Sequence, residues 1–466
     1  MLTLVAALLF LWPLLVYGHP GYIQDSAAYY KGGRAAVTFA LDKIQHRDAP
    51  SSTVQTAAPA VPAFHPTKEG KPDVRGARAV SYSIAAYVFG APNAQMLLLA
   101  AVQALAAGFV CAVTLLVFAG KARGLWWRLA VLAVATPIAF VSCLVIPDIF
   151  AGIVILVITL FATAYRHLSP GVRTVSALVA AAGIAFHASH LPIGVAMTLS
   201  AMAWMAFLIW KKEPVPRSQW AWVAAPFFFG AAAAVVLNLA AFGGPSLTGK
   251  RYPLTLARSI AEGPGKWYLE RNCGHLKYAV CELYPHAVPS TINSFLWGPD
   301  GVKERATPKQ MDRIRAEESD VVLAATRAYP LTEARLVGKS FARQLVLFSP
   351  GVGLEKRMVL DADQNPLLAH ADFDPTWIKL VHLLSIAAVI GSLIVLYRRA
   401  RHDHPIRPIL ALFVAGIVFN DAVCTYFSGV TDRYQARVIW LLPLLALAVL
   451  AQAARRGSAA PAASPE

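Results

Sequence analysis

Residues 129–165 read LAVLAVATPIAFVSCLVIPDIFAGIVILVITLFATAY, and the only charge between Arg128 and Arg166 is Asp148. A membrane-spanning helix needs about 20 mostly apolar residues. The stretch holds two, separated by the turn Ile146-Pro147-Asp148, where proline cannot continue a helix ladder. It therefore predicts one span over 128–146 and another over 149–165. The same criterion applied outward predicts ten spans, near 1–17, 94–119, 128–146, 149–165, 174–190, 192–210, 219–242, 376–397, 407–427 and 437–452. The first is read as a retained span. No basic residue precedes its apolar run, and Gly18-His19-Pro20 is a poor signal-peptidase site.

Composition agrees. Of 466 residues, 57% are hydrophobic and 15% charged, against roughly a quarter charged in soluble domains. That excludes a soluble globular enzyme, a disordered chain or a nucleic-acid module as the whole protein. The net charge of +16, from 42 Lys+Arg against 26 Asp+Glu, belongs to cytoplasmic loops and anionic lipid, with no nucleic-acid partner expected. Five cysteines exclude a disulfide scaffold, and no CxxC or Cys/His metal spacing occurs.

Orientation follows from Lys and Arg in short loops. With the N-terminus inside, the cytoplasmic loops carry Lys121/Arg123/Arg128, Arg166/Arg173, Lys211/Lys212/Arg217 and Arg398/Arg399/Arg401/Arg407, and the tail 453–466 adds Arg455/Arg456. On the other face, Ile146–Asp148 and His190–Pro192 have no Lys or Arg; the exception is Ser428–Arg437, with Arg433 and Arg437. Two long segments then face the periplasm. Segment 18–93 starts with a helix-like stretch, Asp25–Ile44, and continues into a Pro/Ala-rich linker over Asp48–Pro66. Segment 243–375 contains a turn at Glu262–Gly265 and a charged run, Thr307–Arg327, that predicts a solvated helix. Cys273 and Cys281 lie in it, eight residues apart, and can oxidise to a disulfide outside the cytoplasm. Cys111, Cys143 and Cys424 fall in spans as packing residues. The expected fold is an all-α polytopic membrane bundle of about ten helices, built from 1–17, 94–242 and 376–452, with a mostly helical periplasmic segment.

Each candidate functional residue has two readings. Asp25 can act as a general base or bind a cation; it can equally cap the helix it precedes. Asp148 stands at the membrane edge, where acids are costly and often functional, but it can also cap the following span. His187 and His190 share a helical face. They can bind an acceptor or phosphate, help hold a metal, or simply pack; no third ligand is near, so no metal site is assigned. Arg433 and Arg437 flank Tyr434. Their guanidinium forks suit a phosphate, against snorkelling or an ion pair with Asp432. Topology puts Asp25, Asp148, His190, Arg251 and Arg433 on one face near membrane level, which favours a common site over unrelated caps.

With these residues placed, the chain resembles the GT-C superfamily of membrane glycosyltransferases, which includes protein O-mannosyltransferases and the bacterial aminoarabinose transferase of lipid A. The likeness rests on Asp25-Ser-Ala-Ala-Tyr-Tyr30 after span 1, on a long first outer loop leading to Arg78-Ala-Val-Ser-Tyr82, on Asp148 between spans 3 and 4, and on Asp432-Arg-Tyr434 before a last span with Pro443. The first acidic motif has one Asp where many relatives have paired acids, so a divalent cation is an optional cofactor only. The stretches Gly263–Cys273 and Phe295–Asp300 resemble uncharacterised proteobacterial membrane proteins, which carries no function. The resemblance implies a GT-C-like architecture and an inner-membrane enzyme moving a sugar from a polyprenyl-phosphate donor to a periplasmic glycan, lipid or protein acceptor, with inversion. Asp25 would be the base and Asp148 would orient the acceptor or the optional cation. Arg433, with Arg437, Tyr434, His190 or Arg251, would bind substrate and neutralise the leaving phosphate. An envelope polysaccharide polymerase or ligase, a transporter and a non-catalytic envelope assembly factor are the alternative readings.

Overall fold

The computed structural model describes residues 1–45, 78–90, 95–121, 124–403 and 405–458; the linker expected over Asp48–Pro66 lies outside them. The N-terminal part holds α1 (Leu2–Phe10), α2 (Trp12–Tyr17), α3 (Gln24–Gln45), α4 (Val80–Gly90), α5 (Leu97–Ala119), α6 (Trp126–Val134), α7 (Ile138–Cys143), α8 (Ile149–Thr163), α9 (Pro170–Phe186), α10 (His190–Trp210) and α11 (Arg217–Phe242). The next segment holds α12 (Leu254–Glu262), α13 (Pro264–Asn272), three short helices α14 (Ala279–Leu283), α15 (Ile292–Leu296) and α16 (Val302–Arg305), then α17 (Pro308–Ala328), α18 (Pro330–Gln344), β1 (Lys356–Leu360) and β2 (Pro366–His370). The chain ends with α19 (Thr376–His402), α20 (Ile406–Phe427), α21 (Arg433–Ile439) and α22 (Leu441–Ser458).

The protein is a multi-pass helical membrane bundle. Among the described residues, six stretches are long and apolar enough to cross a membrane: α5, α10, α11, α19, α20 and Arg433–Arg455. They coincide with six of the ten expected spans. The others correspond to shorter or interrupted helices. Apolar α4 lies within what was expected to be an outer loop. Helix α8 is buried from Ile149 to Ala162, as befits a helix that is apolar on every side, and α9, α10, α11, α20 and α21 pack around it. Gly152 makes one of these approaches possible. A Cβ there would come within 2.5 Å of the Trp440 ring and 2.8 Å of the Arg437 carbonyl oxygen.

The span expected over 128–146 is broken in two. Pro137 has no N–H for the ladder, and Thr136 Oγ1 donates back to the Leu132 carbonyl at 2.6 Å. Beyond α7 the chain runs extended and forms a parallel bridge between Leu144 and Gly21. Gly21 N–H donates to Cys143 O at 3.1 Å and Val145 N–H to Gly21 O at 2.9 Å. Gln103 of α5 satisfies the freed carbonyls of Ser142 and Leu144 at 2.9 and 3.0 Å, and Tyr82 OH fixes its amide oxygen at 2.8 Å. Irregular backbone inside a membrane bundle needs such internal partners. The bridge also sets up the site, because α3 and α8, which carry Asp25 and adjoin Asp148, both start a few residues beyond it.

The segment 243–375 has its own core, with Leu256, Ile260, Leu269, Phe295, Met311, Ile314 and Val321 buried. Helix α17 starts with a Thr307/Gln310 capping box. It is solvated on one side only: Met311, Ile314, Glu318, Val322 and Ala325 are buried, and their three- to four-residue spacing makes one inward face. The mostly helical segment also carries two strands. β1 and β2 pair antiparallel, Met358 opposite Leu368, and the turn between them meets α3 where Arg34 Nη1 donates to Gln364 O at 2.8 Å. Cys273 and Cys281 are disulfide-bonded, with Cα atoms 5.1 Å apart. Replacing both by Ser should lower the stability of this segment by about 2–3 kcal/mol, the loop-closure scale for a short ring. Thermal unfolding of the variant against the wild type measures it.

Candidate functional site

Asp25 occupies the first turn of α3, where an acid suits the helix dipole, but it is not the cap. Ser26 takes the cap-like role, its Oγ accepting Ile23 N–H at 3.0 Å. The Asp25 carboxylate instead pairs with Arg78, just before α4. Asp148 is the residue preceding α8, yet makes no side-chain cap bond. Its carboxylate is 1% exposed and receives Arg437 Nη1 at 3.1 Å, with Arg433 Nη1 at 3.6 Å from the other oxygen.

Arg437 is fully buried, so it does not snorkel. Besides Asp148, its Nε donates to Asn420 Oδ1 at 2.8 Å, and Nη2 contacts Ser189 Oγ at 3.3 Å and Cys424 Sγ at 2.9 Å. Asn420 in turn donates from Nδ2 to the Tyr434 carbonyl at 2.7 Å and to Asp421 Oδ1 at 3.1 Å. Arg433 is less enclosed, its side chain 17% exposed. It donates to Tyr434 OH at 3.3 Å, and both arginines stack on the Tyr434 ring. Asp432 serves elsewhere, accepting Ser349 N–H at 3.0 Å. Among the described residues, the ion pairs of Arg433 and Arg437 go to Asp148.

His187 and His190 face each other, ring centroids 5.2 Å apart. His190 is buried, with Nδ1 2.7 Å from the Gly183 carbonyl; His187 Nδ1 lies 2.8 Å from Ser189 Oγ. Ser189 thus touches both His187 and Arg437. Buried Tyr29 of α3 sits among the charges, within electrostatic reach of Arg78, Asp25, Asp148 and Arg433.

Arg251 belongs to the rim. Its Nη2 pairs with Glu318 Oε2 at 2.8 Å, while Glu318 Oε1 accepts Thr255 and Leu256 N–H at 2.8 and 3.1 Å. That buried acid clamps the Arg251 loop to α17. Nearby, Arg258 pairs with Glu262 and, at 2.7 Å, with Glu333, and lies over Tyr426. This links α12 and α18 to the end of α20. Burial pushes the Glu262 carboxyl above its usual range, with Arg258 pulling it back.

A cavity of ≈ 70 Å³ is lined by Arg78, the partner of Asp25, and by Tyr29, His187, Leu237, Leu247 and Arg251 among others. Room for a few water-sized groups and a mostly apolar wall that carries Arg78 and Arg251 suit an anionic headgroup on a lipid.

The sequence-derived residues Asp25, Asp148, His190, Arg433, Arg437 and Tyr434 therefore converge, with Arg251 at the cavity wall. Several members were not picked out from the sequence: Tyr29, Ser189, Asn420, Asp421, and the partnership of Arg78 with Asp25. The pair Asn420-Asp421 inside an otherwise apolar span was the available signal, since an intramembrane acid is a functional candidate by default. The optional divalent cation does not fit these residues. Both carboxylates already face guanidinium groups, and among the described residues no three metal-ligating side chains cluster. In comparisons with protein-family models, curated proteins and solved structures, nothing matches this chain.

Proposed function

We propose that the protein is an inner-membrane glycosyltransferase that moves a sugar from a polyprenyl-phosphate donor to a periplasmic acceptor with inversion. One observation carries the reading: a carboxylate, Asp25, is paired with Arg78, which lines a mostly apolar cavity that also carries Arg251. A lipid-phosphate sugar has the same two-sided chemistry. The tail remains in the bilayer while the phosphate sits at the interface. In this reading Asp25 takes the acceptor hydroxyl proton as the oxygen attacks the anomeric carbon and the sugar–phosphate bond breaks. Cations beside the leaving phosphate stabilise its developing charge. Asp148, held by Arg437, orients the site, and segment 243–375 covers it and selects the acceptor. The test is in cells: deleting the gene should abolish transfer of labelled sugar from membrane lipid to an envelope acceptor, and the wild-type chain should restore it. Undiminished labelling in the deletion strain would refute the reading.

In this reading all ten crossings are made, by the six long helices together with α1–α2, α6–α7, α8 and α9. Both termini are then cytoplasmic and 243–375 periplasmic. Alkaline phosphatase fused at Gly301 should be active and at Ser458 inactive, following the Lys/Arg asymmetry. Activity at Ser458 with none at Gly301 would put the site on the wrong side for this chemistry.

A transporter is the second reading. It is favoured by Asp421, fully buried within α20 and linked through Asn420 to Arg437, because buried ionisable groups in spans mark ion and substrate pathways.

A further inference from the structure

We propose that Arg78 is shared between Asp25 and the phosphate of a chain-bearing lipid, so that phosphate binding in the cavity uncovers the Asp25 carboxylate. This rests on the glycosyltransferase reading and identifies where its donor phosphate sits and how its base is released.

The starting observation is that the arginines are not equivalent. Arg437 is enclosed by Asp148, Asn420, Ser189 and Cys424, and a group with that many partners and no exposure is a fixed part of the frame. Arg433 faces the same acid and Tyr434. Arg78 is different. Its side chain is 24% exposed, it lines the cavity, and among the described residues its ion pair is with the carboxylate of Asp25, itself 19% exposed. Arg251 lines the same cavity, 32% exposed and held in place through Glu318. His187 adds a ring at the same wall. An anion entering there meets two guanidinium forks, the geometry that suits phosphate.

The same ion pair blocks the proposed chemistry as it stands. An Asp25 oxygen that accepts from Arg78 is taken up by that contact and is not open to an acceptor hydroxyl. A phosphate offers Arg78 an alternative partner carrying more charge and more acceptor oxygens. When Arg78 swings to it, the Asp25 oxygen that Arg78 held is free to take a hydroxyl proton beside the sugar that the phosphate carries. No bond is made or broken in this exchange; one ion pair replaces another. The device also keeps Asp25 masked when no donor is bound. The apolar wall, Leu237 and Leu247, assigns the anion to a lipid and not to free phosphate.

The coupling has a signature opposite to ordinary loss of function. If Asp25 competes with phosphate for Arg78, neutralising Asp25 should tighten binding. Binding of farnesyl phosphate, farnesol and inorganic phosphate to the purified full-length protein in nanodiscs tests this. Wild type should bind farnesyl phosphate and discriminate against both the alcohol and inorganic phosphate. Asp25→Asn should bind farnesyl phosphate roughly three- to tenfold tighter, the scale of a partly exposed ion pair removed. Arg78→Gln should weaken it at least about tenfold, with Arg78→Lys partly restoring it. Leu237→Trp should weaken the lipid but not inorganic phosphate. A gain in affinity cannot come from misfolding, so Asp25→Asn remains informative whatever the Arg78 variants do. Unchanged or weaker binding by Asp25→Asn overturns the sharing of Arg78, and equal affinity for inorganic and farnesyl phosphate overturns the lipid assignment. The binding pattern without any sugar transfer by the wild type would count against the glycosyltransferase reading alone and leave the shared Arg78 standing.

Discussion

Asp25→Asn should reduce sugar transfer by roughly 10²–10⁴-fold, the usual contribution of a positioned general base, while the protein still accumulates in the membrane. The expectation of a near-normal fold is structural. Asp25 is not the cap of α3, because Ser26 Oγ accepts the Ile23 N–H, and the Asp25 side chain remains partly exposed next to Arg78. Asn keeps an oxygen that can accept from Arg78. What is lost is a favourable charge in the first helical turn and one partly exposed ion pair, each about 1 kcal/mol or less. Transfer of labelled sugar from membrane lipid, normalised to the amount of protein, separates the two effects. If Asp25 only supports α3, transfer by Asp25→Asn should match the wild type.

Asp148→Asn should behave in the opposite way, chiefly as a folding defect. Asp148 and Arg437 are buried to within 1%, and Arg437 also holds Asn420, Ser189 and Cys424. Removing one partner of such a pair leaves the other charge buried without compensation, at a cost of about 3–5 kcal/mol. Arg437→Met should be comparably harmful by exposing Asp148 to the same problem. The double variant, Asp148→Asn with Arg437→Met, removes both charges and should recover part of the loss, because replacing a whole buried pair by apolar groups is often close to neutral. Thermal unfolding of detergent-solubilised protein, followed by size-exclusion chromatography, reads all three. A wild-type melting curve for Asp148→Asn would mean that the pair is not holding α8 to α21.

The contrast between these acids could not be read from the chain. Asp25 and Asp148 both precede helices and both look like caps or catalytic groups. Which arginine each meets depends on contacts spanning 53 and 289 residues. The expectation of one face for both rests on loop Lys and Arg counts, a property of the sequence itself; the structure brings their chain segments side by side through the Gly21–Leu144 bridge. The apolar runs were equally legible, and the six long helices fall where they were expected. The break at Pro137 was only half visible: the proline was there, but the Gly21–Leu144 bridge that absorbs the loose backbone is non-local. The β1–β2 hairpin was missed because Lys356–Leu360 and Pro366–His370 show no strict alternation of burial, and the Asp361–Asn365 turn, with Gln364 at positive φ, lacks a glycine signal. Asp421 is legible as a lone acid in an apolar run. A single acid in an apolar helix is weak beside a Lys/Arg pattern, yet it proved to be linked, through Asn420, to the buried arginine at the centre of the site.

The central claim concerns the reaction itself, and the most direct measurement uses purified wild-type protein in proteoliposomes loaded with a radiolabelled polyprenyl-phosphate sugar and an envelope extract as acceptor. The proposed function predicts one polyprenyl phosphate released for each sugar transferred, with the anomeric configuration of the product inverted relative to the donor. Labelled solute crossing the bilayer with the sugar–phosphate bond intact would contradict it and place the transporter reading first.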